Sequence, residues 1–154
     1  MARSLPQRLP PPPPDLHSRT LPLAKRPAAL FRIHQTALPP LHFSKDGSGR
    51  FDDPLVNFGV LYAALTPEGA FAEVFLRRLS WMLISEADLN TRALARIVGP
   101  GLKLVDLTGS GLRRLSCDNR ISTEIPYERA ALWSRALFEH PQAPDGLIYR
   151  SRHD

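Results

Sequence analysis

Four residue types that could share one chemical site are spread over two stretches of the chain. Arg50, Tyr62 and Glu73 follow one another in the first half, and Ser151 lies far beyond them. An arginine guanidinium matches the geometry of phosphate oxygens, and a carboxylate can stabilise a developing positive charge or orient a nucleophile. One cleft that gathered an arginine, a tyrosine, a glutamate and a serine could therefore bind phosphates and stabilise a cation.

Tyr62 and Glu73 must be positioned by the elements that carry them. Residues 59–65 are an apolar run containing Val and Tyr, which predicts a buried strand around Tyr62. The run Thr66-Pro67-Glu68 offers an N-cap, a first-turn proline and a first-turn acid, so a helix should begin there and run to about Leu79. Its predicted apolar face consists of Phe71, Val74, Phe75 and Leu79, with Ala70, Glu73 and Arg77 away from it.

The remaining pattern predicts short strands and a second main helix over residues 126–139. The strands are predicted at 28–34, 42–44, 81–84, 93–98, 102–107 and 147–149, with a turn or short helix at 109–115. The inner face of the second helix should carry Tyr127, Ala130, Ala131, Ser134, Leu137 and Phe138. These elements predict an α+β domain with a small mixed sheet and two main helices.

Positive charge and proline are concentrated at the N-terminal end. The net charge is +5 for 154 residues, yet residues 1–34 hold six Lys/Arg and one acid, and the remainder holds fourteen of each sign. We therefore expect residues 1–27 to form a disordered or polyproline-II basic arm, and residues 28–154 to form the folded domain. Direct nucleic-acid binding is not expected, because these cations are not clustered on an ordered element.

Several other kinds of site and location are not indicated by the sequence. The five histidines share no ligand spacing, so no metal site is predicted. Cys117 is the only cysteine, which excludes a disulfide within the chain and fits a reducing cytoplasm. No apolar run approaches the ~18–20 residues of a membrane span. We expect a cytoplasmic protein without a metal.

The order of several short motifs resembles the RES domain family, which is named for an arginine, a glutamate and a serine. The resemblance covers about residues 28–154, and the shared order makes it more specific than any one motif. The motifs are Phe31-Arg32-Ile33, Gly49-Arg50-Phe51, Leu61-Tyr62-Ala63, Ala72-Glu73, Val105-Asp106-Leu107-Thr108-Gly109 and residues 145–152 (DGLIYRSR).

The resemblance implies a function and a set of site residues. RES proteins are bacterial toxins paired with Xre-type antitoxins, and their fold is similar to that of ADP-ribosyltransferase toxins. The family implies that the chain cleaves the nicotinamide–ribose bond of NAD, with water or inorganic phosphate as acceptor. It implies that Arg32, Arg50, Tyr62 and Ser151 contact NAD, and that Glu73, Arg50 and Tyr62 are catalytic. Glu73 would stabilise the oxocarbenium-like ribose that forms as the bond breaks.

Two alternative functions stay open. The same site could transfer ADP-ribose to a protein, or the chain could be a catalytically inactive RES-like binding module. The second alternative is favoured by the short sequence after Ser151, since family members usually continue with a further strand there. We therefore expect a domain truncated at its C-terminal side, in which the missing strand would leave a sheet edge exposed.

Each candidate residue also has an ordinary structural alternative when it is considered alone. Glu73 could form a helix-surface ion pair four residues along the chain, with Arg77. Arg50 could pair with Asp52 or Asp53 in its own loop. Tyr62 could be a core residue, Arg32 could be an ordinary arginine at a strand edge, and Ser151 could be solvated.

Overall fold

The computed structural model describes residues 7–25, 27–76 and 83–151, and within them the chain forms two compact units. Unit 1 consists of the described residues of Met1–Lys25, Lys45–Gly59 and Leu102–Arg150. Unit 2 consists of the described residues of Arg26–Ser44, Val60–Gly101 and Ser151–Asp154. Residues 81–82 of the strand predicted at 81–84, and the predicted helix end at Leu79, lie outside the described residues, and residues 83–84 are not in a strand.

Unit 2 is built on one antiparallel strand pair. Strand β1 (Leu30–Gln35) pairs with strand β2 (Arg92–Ile97), with Leu30 opposite Ile97 and Gln35 opposite Arg92. Helix α1 (Pro67–Phe75) packs near β1, and the short helix α2 (Glu86–Asn90) precedes β2. The structure thus confirms the first predicted strand and the first predicted helix, and adds α2.

The predicted strand at 59–65 is not formed as a continuous strand. The segment makes only two isolated bridges, from Val60 to Ser44 and from Ala64 to Phe31. The Phe31 and Ala64 backbones exchange two hydrogen bonds of 2.7 Å each. Because its two ends pair with two different segments, no regular ladder can extend along the run.

Helix α1 begins as predicted but turns a different face inward. The Thr66 hydroxyl oxygen accepts a 3.0 Å hydrogen bond from the Gly69 amide, as an N-cap does. Ala70 is the buried residue of α1, whereas Phe71 is 37% exposed. The prediction was wrong in placing Ala70 away from the inner side and Phe71 on it, whereas Glu73, Val74 and Phe75 are all half-buried. Phe71 and Phe75 instead line an open apolar groove of about 600 Å³.

Unit 1 contains a second, separate strand pair, a short 3₁₀ helix at Leu16–Ser18 and three α-helices. Strand β3 (Leu104–Leu107) runs parallel to strand β4 (Gly146–Tyr149). The helices are α3 (Gly109–Arg114), α4 (Arg120–Thr123) and α5 (Glu128–Phe138). The α+β class is confirmed, but the predicted single mixed sheet is in fact two sheets of two strands.

Close packing joins β3 to α3 through one glycine. A Cβ atom built on Gly111 would lie 2.1 Å from the Asp106 carbonyl oxygen, a distance that no side chain could tolerate. The Asp106 carboxylate accepts hydrogen bonds from the amide and hydroxyl of Thr108 and so fixes the turn between the two elements. The motif at residues 105–109 therefore serves the strand–helix junction.

Helix α5 supplies much of the core of unit 1. Trp133 is 0% exposed and Leu137 is 1% exposed, and Ala130, Ala131 and Ser134 are buried as predicted. Phe138 was predicted to be internal but is 57% exposed, with its ring stacked on Phe58 at 4.1 Å. Trp133 takes the inner position that the pattern did not assign to it.

Residues 7–25 differ from the disordered arm that the sequence predicted. Leu9, Leu16 and Leu21 in this segment are buried, with at most 3% exposure. The segment also bonds to the edge of β3, where the Ala24 amide donates to the Leu104 carbonyl at 2.8 Å and the Asp106 amide donates to the Pro22 carbonyl at 2.8 Å. Prolines have no amide N–H, so this proline-rich backbone cannot form a regular hydrogen-bonding pattern by itself. The segment is ordered because other residues of unit 1 supply its hydrogen-bond partners.

Candidate functional site

A direct contact joins two of the predicted site residues in unit 2. Glu73 lies on the half-buried inner side of α1, and Ser151 follows β4. The Ser151 hydroxyl donates a hydrogen bond to Oε1 of Glu73, across 78 residues of sequence. A serine in this position fixes the orientation of a carboxylate and leaves the other carboxylate oxygen for a ligand or a nucleophile.

Arg32 lies in the same unit, on β1, and braces the chain that follows it. Its Nη1 donates to the Pro40 carbonyl at 2.8 Å and to the His42 carbonyl at 2.9 Å. Burial lowers the pKa of the Arg32 guanidinium, which still remains cationic at neutral pH. Among the residues that the structure describes, no acceptor contacts the Nε and Nη2 atoms of Arg32.

Tyr62 belongs to unit 2 and sits between the two bridges made by Val60 and Ala64. Its side chain is half-buried. Because both neighbours on this short run are anchored, the backbone of Tyr62 is held although the segment is not a strand. Four predicted site residues thus belong to unit 2, and they are Arg32, Tyr62, Glu73 and Ser151.

Arg50 belongs to unit 1, where its guanidinium contacts a backbone carbonyl and an aromatic ring. The residue is 7% exposed, and its Nη1 donates to the Glu124 carbonyl at 2.8 Å. Its guanidinium carbon lies 4.4 Å from the centre of the Tyr127 ring, which is a cation–π geometry. These contacts join the loop of Arg50 to the end of α4, so they describe a structural brace within unit 1.

A model of the RES domain matches residues 29–154 of the chain. The chain belongs to the RES domain family. It is also similar to a Sinorhizobium fredii (strain NBRC 101917 / NGR234) protein named "Probable toxin y4kH", with 34% identity over 70 residues. That match covers 45% of this chain and 55% of the relative, so the chain spans about half the length of that protein. No solved structure matches the chain, and the predicted similarity to ADP-ribosyltransferase toxins stays a prediction.

The acidic turn beside Arg50 in this RES domain contains a buried ion pair that sequence reasoning missed. The Asp53 side chain is fully buried and accepts hydrogen bonds from Arg135 at 3.0 Å, the Asn57 amide at 2.6 Å and the Leu55 amide at 3.1 Å. Burial alone would raise the pKa of Asp53, but these hydrogen bonds outweigh it and hold that pKa below its ordinary value. The sequence gives no signal for this pair, because its members lie 82 residues apart.

Other chemistries find little support in the described part of this RES domain. Burial raises the pKa of the Cys117 thiol to about 12, so its thiolate is not available as a nucleophile at neutral pH. Within residues 7–25, 27–76 and 83–151, no three His, Cys, Asp or Glu side chains are grouped as metal ligands. The helices found in those ranges are too short or too polar to cross a lipid bilayer.

Proposed function

We propose that this RES domain protein is a bacterial toxin that cleaves the nicotinamide–ribose bond of NAD. The proposal is carried by the contact between Ser151 and Glu73, the serine and the glutamate that the family motif singles out. The relative whose printed name is a probable toxin supports the cellular role. If Glu73 had been exposed and without this hydrogen bond, the proposal would have lost its structural support.

Glu73 acts on the ribose in the proposed reaction. Breaking the bond between C1′ and nicotinamide leaves the electron pair on the nicotinamide nitrogen and positive charge on the ribose. The Glu73 carboxylate stabilises that charge, while water or inorganic phosphate forms the new bond to C1′. With water as acceptor, one proton passes to solvent and the products are nicotinamide and ADP-ribose.

The other residues of unit 2 position the substrate in this proposal. Ser151 is a positioning residue, because its hydrogen bond holds the Glu73 carboxylate. Arg32 offers its Nε and Nη2 edge to the pyrophosphate, since its Nη1 is already bound to backbone carbonyls. Tyr62 shapes the nicotinamide site. The direct NAD contact predicted for Arg50 stays a prediction, and its contacts support a role in the fold of unit 1.

A protein partner belongs to the proposal. A toxin that consumes NAD needs a neutralising antitoxin in the same cytoplasm, and the family resemblance indicates one of the Xre type. We expect the product of the neighbouring gene, when co-expressed, to elute with this chain as one complex at micromolar concentration. Two separate peaks in size-exclusion chromatography would argue against a tight pair.

The test is NAD turnover followed by NMR, with and without inorganic phosphate. The wild-type chain should release nicotinamide, and dependence on phosphate would separate phosphorolysis from hydrolysis. Glu73→Gln should lower kcat by about 10²-fold or more, because it removes charge that acts in the transition state. The matched control is Glu68→Gln, which changes an exposed glutamate in the first turn of the same helix. This variant should retain wild-type turnover.

Three outcomes distinguish the proposal from its alternatives. Wild-type turnover by a folded Glu73→Gln variant would contradict the proposed catalytic role of Glu73. Label from radioactive NAD that stays on a protein band would identify ADP-ribosyl transfer. Antitoxin binding without nicotinamide release from a folded wild-type chain would identify an inactive binding module.

A further inference from the structure

The N-terminal segment 7–24 is held in unit 1 in the way that a peptide ligand is held. We propose that α4, α5, residues 140–142 and the edge of β3 form a peptide-binding groove, in which residues 7–24 are an exchangeable ligand bound in cis. This inference is independent of the proposed function, because it concerns unit 1 and a segment that the family model does not match.

Side chains of the groove contact the main chain of the segment at several points along its length. The Trp133 indole N–H donates to the Pro10 carbonyl at 2.8 Å, and Glu124 accepts from the Leu9 amide at 2.8 Å. Gln142 accepts from the Leu21 amide at 2.7 Å. Recognition of this kind fixes the path of an extended chain, and is the mode by which grooves bind proline-rich peptides.

Two further groove residues bind the segment backbone, and each is held in place by hydrogen bonds to its own neighbours. Arg120 is held by Asp118 and donates to the Arg8 carbonyl at 2.9 Å. His140 is 3% exposed, and its Nε2 lies 3.1 Å from the Leu16 and Arg19 carbonyl oxygens. Its Nδ1 accepts from the Gln142 amide at 3.1 Å, which leaves Nε2 as the donor.

Apolar anchors complete the resemblance to a bound peptide. Leu9, Leu16 and Leu21 are each buried, while Pro11 and Asp15 between them are exposed. The segment includes a short 3₁₀ helix at Leu16–Ser18, and it touches the groove through spaced anchors and main-chain bonds, as a bound peptide does. A continuous core element would instead bury an unbroken face.

The cis segment does not use the full hydrogen-bonding capacity of the groove. In the part of the chain that the structure describes, Oε2 of Glu124 is buried and has no hydrogen-bond partner. The residues that follow Leu9 are prolines 10–14, which have no amide N–H to offer. All the groove side chains lie within residues 29–154, which the family model matches, whereas the segment lies outside them. The groove thus belongs to the domain, and its occupant is an addition to it.

The experiment uses the full-length chain with a site for a sequence-specific protease inserted after Lys25. The chain is folded first and then cut, and a synthetic peptide of residues 7–25 carrying an isotopic label is added in excess. Size-exclusion chromatography with mass spectrometry measures which peptide remains bound, and the far-ultraviolet circular dichroism of the cut protein reports its fold. We expect the cut segment to co-elute with the protein and the labelled peptide to replace it.

Two results would overturn the inference. If the segment never exchanges, or if the remainder unfolds as it leaves, then residues 7–24 are an integral core element. If the segment leaves and the labelled peptide does not bind, then no groove exists.

A pair of matched variants tests the main-chain contacts themselves. Gln142→Ala removes the acceptor for the Leu21 amide and should speed exchange about fivefold, as expected for one net hydrogen bond. Gln35→Ala changes an exposed glutamine in unit 2 and should leave the rate unchanged. Equal rates for the two variants would contradict recognition through side-chain contacts to the backbone.

Discussion

The two units of this RES domain bury very different amounts of their own side chains. Among the described residues that are buried, Ala70 is in unit 2 and every other one is in unit 1. Unit 2 leaves large apolar side chains such as Phe43 and Leu94 more than half exposed. Unit 1 therefore has a packed core, and unit 2 is held mainly by backbone pairing and by single contacts.

The difference separates stability from the proposed chemistry. Glu73 and Ser151, which carry the proposed reaction, lie in the thinly packed unit. Regions with few buried apolar contacts open at low free energy, and functional segments are often drawn from them. Arg50 lies in the packed unit, where its Nη1 donates to the Glu124 carbonyl. We therefore expect mutations in unit 1 to change stability and mutations in unit 2 to change turnover.

The largest expected contrast is between two leucines. Leu115→Ala removes a side chain that is 0% exposed in unit 1, and should lower the free energy of unfolding by about 2–5 kcal/mol. Leu94→Ala removes a side chain that is 56% exposed in unit 2, and should change it by no more than about 0.5 kcal/mol. Urea denaturation measures both. Equal losses would show that the two units do not differ as the burial suggests.

The second contrast uses pH. The pKa of Asp53 in the folded chain lies below its ordinary value of about 3.9. Its stabilising contribution is therefore complete above about pH 4 and is lost as the pH falls through the folded-state pKa. Unfolding midpoints measured from pH 6 to pH 2.5 should fall more steeply for the wild-type chain than for Asp53→Asn.

The matched carboxylate for this test lies in unit 2. Asp88 is exposed on α2, so Asp88→Asn should keep the wild-type dependence of the midpoint on pH. A wild-type slope in Asp53→Asn as well would mean that the buried pair with Arg135 does not control the acid stability of unit 1.

The sequence predicted the elements that local signals define. Helix α1 follows from Thr66 and Pro67, and β1, β3, β4 and α5 follow from apolar runs close to where the structure has them. The inner position of Ala70 in α1 was missed. The spacing of apolar residues does not show whether large apolar side chains line a groove while a small residue packs inward. The order of residues 7–25 was missed because its partners, such as Trp133 and His140, are more than 100 residues away.

The roles of the candidate site residues stay predictions, and the structure adds to them one long-range contact and one set of local contacts. The motif named both Glu73 and Ser151, and in the structure the Ser151 hydroxyl donates to Glu73. The motif also named Arg50, but local sequence could not reveal that the Glu124 carbonyl and the Tyr127 ring would hold its guanidinium. The tertiary hydrogen bonds of an arginine determine which of its N–H groups are left to bind a ligand, and a short sequence motif does not predict those bonds.

A smaller effect is expected at the helix that carries Glu73. Thr66→Ala removes the N-cap acceptor for the Gly69 amide and should lower stability by about 1 kcal/mol. The loss should be local to unit 2, so amide exchange should accelerate in α1 and not in α5. Thr66→Ser keeps the hydroxyl and should restore the wild-type exchange. Acceleration throughout α5 would show that the two units open together.

The smallest expected effect is a gain in unit 1. Val56 has a φ of +57°, a left-handed conformation that a β-branched residue adopts at a cost. The Asp53 carbonyl holds this turn by accepting from the Val56 amide at 3.0 Å. Val56→Asn, a residue that tolerates left-handed backbone, should raise the free energy of unfolding by a few tenths to about 1 kcal/mol. Val98→Asn changes a similarly exposed valine in unit 2 that has no positive φ, and should give no gain. If Val98→Asn raised the free energy of unfolding and Val56→Asn did not, backbone strain at Val56 would not be the cause of the effect.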